Sequence, residues 1–150
     1  PERIVLAGHS AGGHLAALLA VRERPALAAC MPVSASFDLR YGDVPLESDA
    51  GRVYRYLFET RSQDAEASPL PFAARAPCPF HIMWGDRDLD RVARSSARMV
   101  EALEAQGLPV GADIRAGADH FDTHLALADP EGRWYARLRA LAGQPQGAAP

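Results

Sequence analysis

The stretch from Ile4 to Pro25 constrains the chain more than any other. Ile4-Val5-Leu6-Ala7 is a short, unbroken apolar run. It enters Gly8-His9-Ser10-Ala11-Gly12-Gly13 without a spacer, and His14 to Arg24 continues in Ala and Leu until Pro25 stops it. A continuous apolar run of this length suits a strand buried on both faces, and the Ala/Leu segment suits a helix. Strand, tight turn and helix in immediate succession is the first half of a βαβ unit.

The pattern recurs along the chain. Ala28 to Ala35 reads as a second strand, and Pro79 to Trp84 as a third, closed by the turn Gly85-Asp86-Arg87-Asp88. Val92, Ser96, Met99, Val100 and Leu103 share one helical face that ends at Gly107 and Pro109, a helix stop signal. Val110 to Ala116 is the fourth strand, and Gly117 to His120 the loop after it. Asp129-Pro130 reads as an N-cap with a first-turn proline. Trp134, Tyr135, Leu138 and Leu141 line the inner face of the last helix. The segment from Phe37 to Pro71 reads as irregular, with one helix around Arg52 to Phe58. Strands alternating with helices predict an α/β fold: a doubly wound, mostly parallel sheet with helices on both faces.

Composition excludes several classes. A net charge of −3 with dispersed basic residues gives no electrostatic reason to bind nucleic acid or an anionic membrane. No apolar run approaches the roughly 18 residues a spanning helix needs, and Pro1-Glu2-Arg3 does not open a signal peptide. Cys30 and Cys78 lie in apolar surroundings and read as buried free thiols in a reducing compartment, so the expected location is cytoplasmic. Neither HExxH nor paired CxxC spacing occurs, and neither a metal nor a cofactor is expected.

In such sheets ligands sit outside the carboxyl ends of the strands, which points to the turns after Ala7, Trp84 and Ala116. Gly8-x-Ser10-x-Gly12 is a nucleophile-elbow pattern between an apolar strand and a helix. Glycine at positions 8 and 12 is expected to let the backbone turn and the elements approach. The Ala11 N–H, at the helix start, is a candidate oxyanion donor. A serine hydroxyl needs a base. His120 stands just past the fourth strand. His124 falls in a following helix, His81 inside the third strand, and His9 and His14 flank the serine, where they shape the turn or pocket wall. The imidazole needs an acid. Asp88 stands three residues past the strand-ending Gly85 and is favoured, with Asp86 as the alternative and Asp90 as a helix cap. The order Ser10, Asp88, His120 is that of α/β-hydrolases.

Gly8-His9-Ser10-Ala11-Gly12-Gly13-His14-Leu15 resembles the elbow of kynurenine formamidases and related small carboxylesterases. Ser34 to Leu39 resembles their strand-six exit, and Ala67-Ser68-Pro69-Leu70 the segment before strand seven. Cys78-Pro79 with Trp84 to Asp88 resembles their acid turn, and Asp119-His120-Phe121-Asp122 their histidine loop. The resemblance runs to about Ala142. It implies strands five to eight of the α/β-hydrolase fold without the first four. Residues 1–142 are then the C-terminal part of one domain, and 143–150 a disordered tail. The upstream His-Gly-Gly oxyanion motif has no counterpart, so the chain alone is expected to be inactive.

The implied activity is hydrolysis of a small-molecule ester or formamide without a cofactor. An aryl formamide such as N-formylkynurenine is favoured, with a short-chain ester as the alternative. His9, Tyr41 and Phe121 are expected to contact substrate. Tyr41, Tyr54, Tyr56 and Phe58 offer either a stacking wall for an aryl leaving group or a packed cap over the core. An oligomer is compatible with the sequence. A non-catalytic binding protein of the same fold is the alternative of another class. Prolyl-oligopeptidase-like enzymes, expected to carry an aromatic residue where Ala11 stands, are less favoured, and dienelactone hydrolases are excluded by serine at position 10.

Overall fold

A computed structural model describes residues 4–40, 42, 45 and 47–143. Its sheet has four strands: β1 (Val5–His9), β2 (Ala29–Val33), β3 (Phe80–Gly85) and β4 (Val110–Arg115). They lie in the order β1-β2-β3-β4, every pair parallel. Between them run α1 (Ala11–Glu23), α2 (Asp49–Leu57), α3 (Gln63–Glu66) and α4 (Asp90–Ala105). After β4 come α5 (His120–Leu125) and α6 (Arg133–Gly143). This is the expected α/β-hydrolase arrangement.

Side-chain alternation along the strands divides the core in two. Ala29, Met31, Val33 and Met83 face Trp134 and Leu141 of α6. Cys30, Phe80, Ile82 and Trp84 face the other way, against Ala17, Ala20 and Val21 of α1 and Met99 and Leu103 of α4. The central strands β2 and β3 are buried throughout, whereas β1 and β4 are only partly so. A strand covered on both faces reads as an unbroken apolar run.

Strand positions match the sequence reading within a residue or two. Helix α4 ends as predicted: Gly107 has φ 66° and its N–H reaches the Glu104 carbonyl at 2.8 Å. Two expectations fail. Asp129-Pro130 does not open α6. The Asp129 carboxylate accepts from Glu131 N–H at 3.0 Å, closing a turn of its own, and α6 starts where Ala136 N–H meets the Gly132 carbonyl. The 37–71 region also holds more structure than predicted: α3 and the start of a 3₁₀ turn at Leu70–Arg75 that packs Leu70 and Ala73 into the core. Phe37 at its head is fully buried. The stretch 144–150 and Tyr41 lie outside the described residues.

Candidate active site

The carboxyl ends of β1, β3 and β4 carry three turns that converge. At the first, the backbone reverses sharply on Ser10, with φ 53° and ψ −119°. A non-glycine residue holds that conformation only where its surroundings enforce it. Here the Ser10 N–H is fixed to the Val33 carbonyl at 2.9 Å. A Cβ on Gly8 would lie 2.4 Å from the Gly12 carbonyl carbon, and one on Gly13 would lie 2.7 Å from the Gly8 oxygen. Gly12 has nothing within 4 Å of that position. The close approach therefore requires glycine at 8 and 13, not at 8 and 12 as expected. Ser10 makes no side-chain cap to α1, which leaves its hydroxyl for other partners.

The second and third turns are clasped together. Asp86 accepts the Gly117 N–H at 2.8 Å, Arg87 Nε donates to the Gly117 carbonyl at 3.0 Å, and Arg87 N–H reaches the Ala118 carbonyl at 3.1 Å. Asp86 is thus a turn residue that ties the two loops. Asp119 then caps α5, accepting from Phe121 and Asp122 N–H while the Asp122 carboxylate accepts from Asp119 N–H. This reciprocal cap sets His120 at the first position of the helix, where the sequence pattern predicts a loop. Asp90 makes no cap to α4.

Ser10, His120 and Asp88 meet in one hydrogen-bonded row. His120 Nε2 lies 2.9 Å from Ser10 Oγ, and His120 Nδ1 lies 2.8 Å from Asp88 Oδ1. A carboxylate only accepts, so Nδ1 carries the proton and Nε2 is left to accept from the serine. Asp88 has a fully enclosed side chain, and His120 is exposed by 13 %. Burial by itself would push the Asp88 carboxyl up. Hydrogen bonds from Ser34, His120 and Leu89 outweigh it and hold the group below its ordinary value.

The other expected residues are placed as follows. His9 donates Nε2–H to the His120 carbonyl at 2.8 Å, with its ring 4.9 Å from that of His120. It supports the histidine from behind, and burial lowers its pKa. His14 binds the Ser36 carbonyl at 2.7 Å. His124 is exposed on α5, its ring 5.1 Å from His9. His81 is buried in β3. Phe121 is 73 % exposed and meets the His120 ring edge-on at 5.7 Å. Ala11 is the first residue of α1, where an N–H has no acceptor within the helix. Tyr54 is buried and stacks on Phe58 at 6.2 Å. Phe58 shares a concavity of about 430 Å³ with Leu18 and Arg22. At 1.5 Å per residue, those positions lie roughly 12 to 18 Å along α1 from Ser10. Phe58 thus lies toward the far end of α1 from the serine, with Tyr54 stacked on it. Among the described residues, no three His, Cys, Asp or Glu side chains are arranged to hold a metal, and no helix is long and apolar enough to cross a membrane.

The sequence profile of the prolyl oligopeptidase family matches residues 1–142. The chain belongs to the prolyl oligopeptidase family. The expectation that Ala11 counts against this group is therefore corrected. The Ala11 side chain is exposed, so packing there does not demand an aromatic ring. No curated protein matches the chain.

Solved structures share the fold. An esterase of the bacterial hormone-sensitive lipase family is 25% identical, with a TM-score of 0.75 over 95% of this chain and 55% of its own. An esterase/lipase from an uncultured bacterium is 21% identical, with a TM-score of 0.76 over 96% of this chain and 55% of its own. Dipeptidyl peptidase 4 of Porphyromonas gingivalis is 23% identical, with a TM-score of 0.71 over 93% of this chain and 19% of its own. The chain thus spans about a fifth of that peptidase and about half of the esterases.

Proposed function

We propose that this chain supplies the nucleophile, base and acid of a serine hydrolase that cleaves a carboxylic ester or amide through an acyl-enzyme. The observation that carries the reading is the row Ser10–His120–Asp88, at 2.9 and 2.8 Å. Ser10 Oγ attacks the carbonyl carbon while His120 Nε2 takes its proton. Asp88 holds Nδ1–H and offsets the imidazolium charge. The Ala11 N–H receives the oxyanion. His120 returns the proton to the leaving group, then takes one from water, whose oxygen attacks the acyl-serine. The acid leaves and Ser10 regains its proton. Residues 1–142 are read as part of one such hydrolase domain.

Within this reaction an aryl formamide is the favoured substrate. Its support is the His120-Phe121 pair of the resemblance, with an exposed aromatic ring directly beside the proposed base. A short-chain ester is the second reading, supported by the likeness to the hormone-sensitive-lipase-family esterase. The test is steady-state hydrolysis by the intact protein of N-formylkynurenine, p-nitrophenyl acetate and butyrate, and a dipeptidyl p-nitroanilide. A kcat/KM for the formamide well above the others supports the first reading, and ester preference supports the second. Turnover of the anilide alone overturns both in favour of peptides. A folded protein that turns over none and resists a fluorophosphonate would be a binding protein of this fold.

A further inference from the structure

Ser34 follows β2 directly and takes no part in the reaction just described, yet its backbone is left-handed, with φ 47°. Side chains other than glycine seldom adopt this conformation, and where they do the surroundings hold it. Ser34 is fully buried. Its N–H donates to the Met83 carbonyl at 2.7 Å, and the preceding Val33 carbonyl accepts the Ser10 N–H at 2.9 Å. The end of β2 is thus tied to the nucleophile turn on one side and to the acid-bearing strand on the other.

The strained backbone aims the hydroxyl inward. Ser34 Oγ lies 2.5 Å from Asp88 Oδ2 and 2.7 Å from Thr123 Oγ1. Proton accounting gives the contacts a direction. Asp88, held as a carboxylate, can only accept, so the single Ser34 proton goes to Oδ2. The Ser34–Thr123 bond then needs the Thr123 proton. Thr123 is fully buried on α5, three residues after His120, and its one proton is shared between two acceptors, Ser34 Oγ at 2.7 Å and the His120 carbonyl at 2.9 Å. The other donor near Asp88 Oδ2 is the Gly85 N–H, at 3.5 Å. Asp88 Oδ1, by contrast, accepts from both His120 Nδ1 at 2.8 Å and Leu89 N–H at 2.7 Å.

We propose that Ser34 is a positioning residue: its buried hydroxyl, oriented by Thr123, pins Asp88 Oδ2 so that Oδ1 stays on His120 through both proton transfers. The proposal rests on the reading of Ser10, His120 and Asp88 as the reacting groups. Without the hydroxyl, Oδ2 keeps only the long Gly85 contact in a place closed to water. The carboxylate then turns in search of a donor, and its alignment with Nδ1 loosens.

The test compares Ser34→Ala, Ser34→Gly and Ser34→Cys in the intact protein, with kcat, KM and Tm measured for each on whichever substrate it turns over. Losing a hydrogen bond to a charged group should lower kcat about 10- to 100-fold in both Ala and Gly variants, with KM held within about twofold. Cysteine keeps a weak donor and should recover part of the loss. Glycine relieves the left-handed backbone whereas alanine does not, so the Gly variant should be the more stable of the two. It also carries the test if Ser34→Ala does not fold. A merely structural role would make activity follow Tm and leave the Gly variant near wild type, which would overturn the proposal. So would a kcat within about threefold of wild type in both variants while Ser10→Ala abolishes turnover, and in that case the reaction reading survives. Turnover that persists in Ser10→Ala would remove the reaction reading and the role of Ser34 with it.

Discussion

Replacing Asp88 by Asn changes almost no volume and removes one charge. Among the described residues, every hydrogen-bond partner of this carboxylate is a donor: His120 Nδ1 and Leu89 N–H at Oδ1, Ser34 Oγ and Gly85 N–H at Oδ2. An amide nitrogen accepts from none of them. Placed at Oδ1, it meets two N–H groups and forces His120 into the tautomer with its proton on Nε2, where it cannot take one from Ser10. Placed at Oδ2, it turns the Ser34 proton away to Thr123 Oγ1, 2.7 Å distant, and sets an N–H against the Gly85 N–H. Either way the imidazolium loses its counter-charge. The expected loss in kcat is about 10³- to 10⁴-fold, roughly 4 to 5.5 kcal/mol of barrier. Asp86→Asn keeps a carbonyl oxygen for the Gly117 N–H, now 2.8 Å from the Asp86 carboxylate, and should stay within about tenfold of wild type. The assay is kcat and KM of both variants in the intact protein, on whichever ester or amide it turns over, with folding checked by Tm. A larger loss in Asp86→Asn, or a loss below about tenfold in Asp88→Asn, would refute the assignment of the acid.

Gly8→Ala sets a Cβ 2.4 Å from backbone of the same turn and should cost about 1–3 kcal/mol of stability; Gly12→Ala, facing open space, should leave Tm almost unchanged, and equal effects would contradict the packing described. Asp88, with its pKa held below the ordinary carboxylate value, contributes stability that is present above about pH 4 and is lost as pH falls through that value toward the folded one. A Tm-against-pH series should therefore flatten below about pH 4 in Asp88→Asn; an unchanged slope would refute the coupling. Burial pushes the Cys78 thiol up to about 12, and Cys30 is shifted the same way. Neither should be alkylated by iodoacetamide in the folded protein near pH 8, whereas both should react in denaturant, and prompt labelling of the native form would contradict the buried environment.

The strands were legible because β2 and β3 are covered on both faces and must read as unbroken apolar runs. Ser10, Asp88 and His120 were legible because each stands shortly after a strand, at the end of the sheet where the turns gather. Three features escaped. The requirement for glycine at position 13 rather than 12 depends on which Cα faces the Gly8 carbonyl, and a spacing pattern does not contain that. Ser34 reads as one more polar residue at the end of the second strand; only its φ and its contact with Asp88, 54 positions away, set it apart. The 3₁₀ turn at Leu70–Arg75 is too short to show a period. A signal did exist for α5: Asp119 followed three residues later by Asp122 is an acidic version of the reciprocal cap, and it places His120 on a helix. Asp129-Pro130 carries a similar signal, but there the aspartate closes a turn instead. The aromatic residues of 41–58 offered either a stacking wall or a packed cap, and the sequence does not choose between them; in the structure Tyr54 and Phe58 stack on each other.

Fluorophosphonate labelling of the intact protein, with the modified residue located by mass spectrometry, tests the central claim most directly. A single adduct on Ser10 is expected, absent in Ser10→Ala and strongly slowed in His120→Ala. A folded protein that takes no label, or takes it on another serine, would contradict it.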